Sequence, residues 1–196
     1  MVSLSKGQGV SLGKNMNYCL VGLGWDPNKY SGSSNFDLDA TAFLLSSNGK
    51  VQSDADFVFY GNPVHASGSV KCLGDDTTGG NSAEGDDERI IINLDRVPAY
   101  VDRIVVCVSI YDAHNRRQNF GQVSNAYVRV VKINNEHAED GDEVVRYELD
   151  DEFSSETAIS ACEIIRNGSE WKFSALGMGY NFELDGLCTK YGINLG

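Results

Sequence analysis

The chain of 196 residues carries 28 acidic against 16 basic side chains, a formal charge of -12, with 41% hydrophobic residues, 21 Gly and only 3 Pro. That balance lacks the cationic footprint that nucleic-acid binding needs, and it points to cations or basic partners instead. The apolar content excludes wholesale disorder, and the length suits one domain spanning residues 1–196 with a substantial core.

No apolar run approaches the ~20 residues that span a bilayer. The opening MVSLSKGQGVSLGK lacks the apolar core of a signal peptide, so the expectation is a cytoplasmic protein without membrane insertion. Five cysteines, Cys19, Cys72, Cys107, Cys162 and Cys188, are far apart and form no C-x-x-C pair. They read as reduced thiols acting as small core residues rather than as reactive groups, for no local basic cluster lowers a thiol pKa.

In chain order, short apolar pieces at 2–4 and 10–12 flank SKGQG as an edge strand and a turn. YCLVGLGW (18–25) is apolar almost throughout, as a strand buried on both faces would be, and Asp26-Pro27 stops it. Residues 36–45 alternate Asp37, Asp39 and Thr41 against Phe36, Leu38 and Ala40, so period two puts both carboxylates on one strand face, about 7 Å apart. Asn48-Gly49 predicts a type I′ hairpin turn leading back to a strand at 57–60, with Asp54 and Asp56 assigned to solvent. Strands are predicted at 70–73 and 89–94 on either side of an acidic loop, at 103–111 as the centre of a sheet, and at 126–133 and 144–149. Residues 112–121 read as a polar crossover with a turn or two of helix. The segment 157–166 and the alternating Trp171, Phe173 and Ala175 read as a hairpin about Asn167-Gly168. Leu184, Leu187, Cys188 and Tyr191 have helical spacing ending at Gly192. The sum is an all-β sandwich of two mostly antiparallel sheets with one or two short peripheral helices.

The loop GDDTTGGNSAEGDDE (74–88) holds six acids and no Lys or Arg. A run of like charge ordinarily reads as a solvated surface segment. Here it sits between two strands and is dense in glycine, which allows the turns that wrap oxygen ligands around an ion. With Asp26 at a strand end and Asp37 and Asp39 on one face, nine carboxylates are on offer, enough for two hard divalent cations. The order is not that of an EF-hand, because Thr41 stands at the third loop position and the following Gly is absent. Zn²⁺ is disfavoured by the scattered His65, His114 and His137, and Mg²⁺ stays open beside Ca²⁺.

Enzyme readings find little support: no G-x-S-x-G elbow, phosphate-binding loop, dinucleotide fingerprint or H-E-x-x-H appears. Asp112 and His114 read as a polar surface turn, and Trp25 and Trp171 as core aromatics.

The motifs SLSKG (3–7), VGLGWD (21–26), FDLDATAFLL (36–45), DADFVFY (54–60), GDDTTG (74–79), GDDE (85–88), RRQNFGQVSNAYVR (116–129) and EWKFSALGMGY (170–180) together resemble the TerD family of tellurium-resistance and stress-response proteins, over nearly the whole chain. The resemblance implies a cytoplasmic, non-enzymatic β-sandwich that binds Ca²⁺, with two ions expected. It implies metal ligands at Asp26, Asp37, Asp39, Asp75, Asp76, Asp86, Asp87 and Glu88, and partners among other proteins of the tellurium-resistance system. A protein-interaction scaffold in which metal is incidental is the alternative. Two departures from the family pattern stand out: Asp76 replaces a usual Asn, and residues 80–84 are about two longer than usual.

Overall fold

The period-two and continuous apolar segments form twelve strands among the residues that the computed structural model describes, which are 2–28, 34–74, 76–80, 85–138, 141–149 and 153–195. The first sheet runs in the order β1 (Val2–Ser3), β10 (Asp142–Glu148), β9 (Tyr127–Ile133), β3 (Tyr18–Gly24), β7 (Glu88–Asn93), β6 (Val70–Leu73). The second runs β2 (Gly9–Ser11), β12 (Glu170–Tyr180), β11 (Ala158–Asn167), β8 (Arg103–Ile110), β4 (Leu38–Leu45), β5 (Phe57–Val58). Every pairing is antiparallel except that of β1 with β10.

The main core lies between the sheets. Val21 and Leu23 of β3, Ile90 and Ile92 of β7 and Val128 and Val130 of β9 meet Ala42 and Leu44 of β4 and Val106 and Val108 of β8. Alternate residues of the same strands feed two outer layers, which is why β3 and β8 read as continuously apolar. Leu20, Ile91, Val131 and Ile133 cluster on the outer face of the first sheet. On the second, Phe43, Phe57, Val105 and Cys107 are covered by Leu187, Cys188 and Tyr191 of α2 (Leu184–Tyr191). That helix ends as its spacing predicts, with Gly192 at φ 96° donating to the Cys188 carbonyl at 3.0 Å. The crossover after β8 contains α1 (Ala113–Arg116), and no described helix is long and apolar enough to cross a membrane.

Two expectations need correction. The turn after β4 is not type I′: Gly49 donates to Ser46 O at 2.9 Å with only Gly49 left-handed (φ 76°), and Ser46 N donates to Lys50 O at 2.9 Å. This is a type I turn closed by one left-handed glycine, with Asn48 Oδ1 accepting from Lys50 N and Ser46 Oγ, so Asn48 has no need of positive φ. Asp56, assigned to solvent, is buried at 1% exposure. It immediately precedes β5 and is held by Gln52, Ser53, His65 and Tyr100.

Candidate functional site

The three acidic stretches meet at one end of the sandwich, and the glycines of the GLGW motif (22–25) make the meeting possible. With Val21 and Leu23 turned into the core, Gly22 and Gly24 lie on the outer face of the first sheet. A Cβ on Gly22 would stand 2.4 Å from the Asp86 carboxylate carbon, and one on Gly24 would stand 2.2 Å from the Gly85 carbonyl oxygen. Only glycine lets the end of the acidic loop press against β3 here.

Asp86 is held by Arg129, whose Nε and Nη2 donate to its two oxygens, both at 2.7 Å. The Tyr127 hydroxyl lies 3.0 Å from Asp86 Oδ1 and also reaches the Gly85 carbonyl. The pair with Asp86 pushes the Arg129 pKa above its ordinary value. Burial and then the Asp86 charge push the Tyr127 phenol up as well.

Asp87, the next residue, turns the other way. Its backbone N–H donates to Leu23 O at 2.8 Å and its Oδ2 accepts from Trp25 N at 2.9 Å. Trp25 in turn donates from Nε1 to Phe36 O at 3.2 Å, and a Cβ on Gly79 would fall 2.4 Å from that same Nε1. One indole therefore fixes the acidic loop, the end of β3 and the entry to β4 against each other.

Glu88 points between the sheets. β5 covers only Ala42 and Phe43 of the β4 edge, which would leave Ala40 with an open N–H and C=O. Glu88 Oε2 accepts from Ala40 N, and Cys72 Sγ donates to Ala40 O at 3.8 Å. Burial first, and then the charges of Glu88 and Asp39, raise the Cys72 thiol to about 12, so it stays a neutral donor.

Asp76 folds its own loop, its Oδ1 accepting from Thr78 N and Thr78 Oγ1, both at 2.8 Å, and from Gly79 N at 3.1 Å. Asp26 accepts from Asn125 Nδ2 at 2.8 Å and shares a cleft of about 450 Å³ with Asp87, Gly80 and Gly85. Asp37 and Asp39 share a second, of about 260 Å³, with Thr77, Tyr60 and Tyr111. Arg116 Nη1 approaches Asp37 Oδ2 at 3.5 Å.

Of the eight acids named from the sequence, Asp26 with Asp87 and Asp37 with Asp39 thus come together in pairs. Asp76 and Glu88 support the loop and the strand edge, and Asp86 is committed to Arg129. Asp75 lies outside the described residues, as do residues 81–84 of the longer loop. Among the described residues no three His, Cys, Asp or Glu side chains form a group that could hold a metal ion by themselves. The oxygen donors suit a hard cation, with carboxylates beside a threonine and glycines and no imidazole or thiolate lining either cleft, although the Asp26 cleft is also lined by Arg146, which donates to Glu148 at 2.7 Å. His114 bonds Glu183 at 2.7 Å rather than Asp112, so the Asp112–His114 pairing does not form.

The TerD domain profile matches residues 1–191. The chain is 50% identical over 196 residues to the tellurium resistance protein TerD of Serratia marcescens, covering 98% of each chain. It is 49% identical over 198 residues to general stress protein 16U of Bacillus subtilis, covering 100% of this chain and 99% of that one. The crystal structure of a homologue of telluride resistance protein TerD from Streptomyces coelicolor A3(2) superposes with a TM-score of 0.69 at 22% identity, over 87% of this chain and 94% of that one, a likeness of fold. With the profile spanning nearly all of the chain and relatives matching end to end at about half identity, the chain belongs to the TerD family.

Proposed function

We propose that this protein is a non-enzymatic, calcium-binding stress-response protein that contributes to resistance against tellurite and other chemical stress. The observation that carries the calcium reading is the convergence of the three acidic stretches on Trp25, which leaves one cleft lined by Asp37 and Asp39 and another lined by Asp26, Asp87 and Glu148 beside Arg146. Asp26 and Asp87 would hold one ion and Asp37 and Asp39 the other, with Asp76 and Glu88 bracing the loop between them. Bound calcium would supply only charge, offsetting the repulsion between neighbouring carboxylates, which for any two like charges about 4 Å apart is on the order of 4 kcal/mol at an effective dielectric of 20 and less at longer separations. The resistance reading is supported by the names of the full-length relatives.

Calorimetric titration of the full chain with Ca²⁺, with Mg²⁺ as competitor, tests the metal reading. Binding heat should disappear for the cleft concerned in Asp37→Asn and in Asp87→Asn. Absence of heat in the parent protein contradicts the proposal.

A second reading is an interaction scaffold whose acidic face docks proteins of the same resistance system, metal being incidental. What supports it is that, among the described residues, no three acids stand close enough together to hold a metal by themselves. Partner capture that survives both EDTA and neutralisation of the clefts would support a metal-independent version using another face.

A further inference from the structure

Two hydroxyls on the outer face of the second sheet, Thr41 Oγ1 and Ser109 Oγ, make no hydrogen bond among the described residues although Thr41 is 0% and Ser109 1% exposed. A buried polar atom left unpaired costs about 1–3 kcal/mol, so one that opens onto a cavity marks where an outside group completes the bonding. Ser109 pairs directly with Asp39 across β4 and β8, and both line a recess of about 210 Å³ between those strands and the start of α2.

The recess is acidic and aromatic together. Asp39, Asp112, Glu183 and Asp185 line it, and so do Tyr60 and Tyr111, which are 52% and 49% exposed. Three of these carboxylates each spend one oxygen locally. Glu183 Oε1 accepts from His114 N and faces His114 Nδ1, Asp112 Oδ1 accepts from Asn115 Nδ2, and Asp185 Oδ1 accepts from Gly186 N. The second oxygen of each makes no hydrogen bond among the described residues.

We propose that this recess binds an organic ammonium group, either a free alkylamine or a lysine side chain, with its charge against Asp39 and Asp185, a hydrogen bond to Ser109 Oγ and its alkyl chain against Tyr60 and Tyr111. The wall already receives an organic cation from within the chain: the Arg116 guanidinium stands 5.0 Å from the Tyr111 ring centroid and reaches towards Asp37. Aromatic faces attract alkylammonium and guanidinium groups, which are more weakly hydrated than a small metal ion. Ile110 and Leu184, also in the lining, offer a metal no oxygen side chain but suit a hydrocarbon. The site goes beyond the calcium reading: it adjoins the cleft of Asp37 and Asp39 and shares Asp39, Tyr60 and Tyr111 with it, while Ser109, Asp112, Glu183, Leu184 and Asp185 belong to the recess alone.

The test is a titration of the full chain, followed by NMR, at about 0.15 M salt so that diffuse attraction to an acidic protein is screened. The probes are n-butylammonium, N-acetyl-lysine methylamide and, as the neutral control, n-butanol, each with saturating Ca²⁺ and again in EDTA. Saturable one-to-one binding of a cation, absent for butanol and weakened about tenfold or more by Tyr111→Leu and by Ser109→Val, is the expected result. Thermal melting of both variants checks that they fold, and if Ser109→Val does not, Tyr111→Leu with Asp185→Asn decides. Tighter binding of the lysine derivative identifies a partner protein as the source, and tighter binding of butylammonium identifies a free amine. Non-saturable binding, or binding that folded variants leave unchanged, overturns the proposal. So does one-for-one displacement of the ammonium by Ca²⁺, which would assign the recess to the metal. Failure of calcium to bind leaves the EDTA arm decisive, so the two readings fail separately.

Discussion

Two acidic regions of the molecule are built on opposite rules. At the corner leading into β5, Asp56 is met from every side. Its Oδ1 lies 2.6 Å from the Tyr100 hydroxyl and 3.1 Å from His65 Nε2, while Oδ2 accepts from Gln52 N at 2.9 Å and Ser53 N at 3.1 Å. The Ser67 N–H donates to His65 Nδ1, so Nε2 carries the proton towards Asp56. At the acidic end, by contrast, more than one carboxylate lines each cleft, with Arg116 reaching Asp37 in one and Arg146 lining the other. A carboxylate met by donors on both oxygens, as Asp56 is, is a structural part that the fold completes alone, whereas carboxylates lining one cleft together offer oxygens to a cation from outside. Asp86 and Asp87 repeat the contrast at neighbouring positions, one locked by Arg129 on the outer face and the other opening on the Asp26 cleft.

The largest expected effect breaks a balanced acid. Arg129→Met leaves Asp86 beneath Tyr127 without its cation and should destabilise the fold by about 3–5 kcal/mol in urea unfolding. Calcium should not restore that loss, because Asp86 faces away from the clefts. Rescue by calcium would erase the distinction between the two kinds of acid.

Asp56→Ala comes next, at about 3 kcal/mol, since it strands buried His65 and removes the acceptor of the Gln52 and Ser53 N–H groups. Burial works to raise the Asp56 pKa, but the bonds from Tyr100, His65, Gln52 and Ser53 outweigh it and hold the carboxyl below its ordinary value. The unfolded chain therefore binds the proton first. The contribution of Asp56 is complete above the unfolded value of about 3.9 and is lost as pH falls through the lower folded value, so the gap between parent and variant should narrow in that acid range. A gap constant with pH would show that the carboxylate charge plays no part.

The smallest effect lies between the two regions. Cys72→Ala removes the donor to Ala40 O at the β4 edge and should cost about 1 kcal/mol. Because burial lifts Cys19 and Cys107 to about 12 and Cys188 to about 11, with Cys162 raised as well, the native protein at pH 8 should resist alkylation by iodoacetamide at all five thiols. Rapid labelling of any one would mark an open thiol that burial does not explain.

Much of this was legible in the sequence because it rests on period and punctuation. The alternation through Trp171, Phe173 and Ala175 and the helix ended by Gly192 follow from local geometry; the strand expected over 36–45 begins only at Leu38, with Asp37 just ahead of it, yet Asp37 and Asp39 line one cleft. What was not legible depends on partners distant in the chain. Asp86 and Asp87 look alike in GDDE (85–88), and only the register of β3 with β9, which sets Gly22 opposite Arg129, separates them. Asp56 looked like a loop acid because its main side-chain partner, Tyr100, lies 44 residues away. The sequence DADFVFY (54–60) gave no hint of it, although His65 and Ser67 nearby were a signal of a hydrogen-bonded corner. The turn at Asn48-Gly49 misled for a different reason: the dipeptide suits type I′, but the Asn48 side chain braces a type I turn instead.

The most direct test of the central claim, that the paired acids await a cation, is the thermal unfolding midpoint of the full chain in EDTA and with added Ca²⁺, for the parent protein and for Asp37→Asn with Asp87→Asn combined. Calcium at about a hundred times its dissociation constant should stabilise the parent by about 2.7 kcal/mol per site. The double variant should gain little from calcium and should equal or exceed the parent in EDTA, because the repulsion has been relieved. A parent midpoint that calcium leaves unmoved, together with a double variant less stable than the parent in EDTA, would mean that these carboxylates are structural parts like Asp56 and would contradict the account.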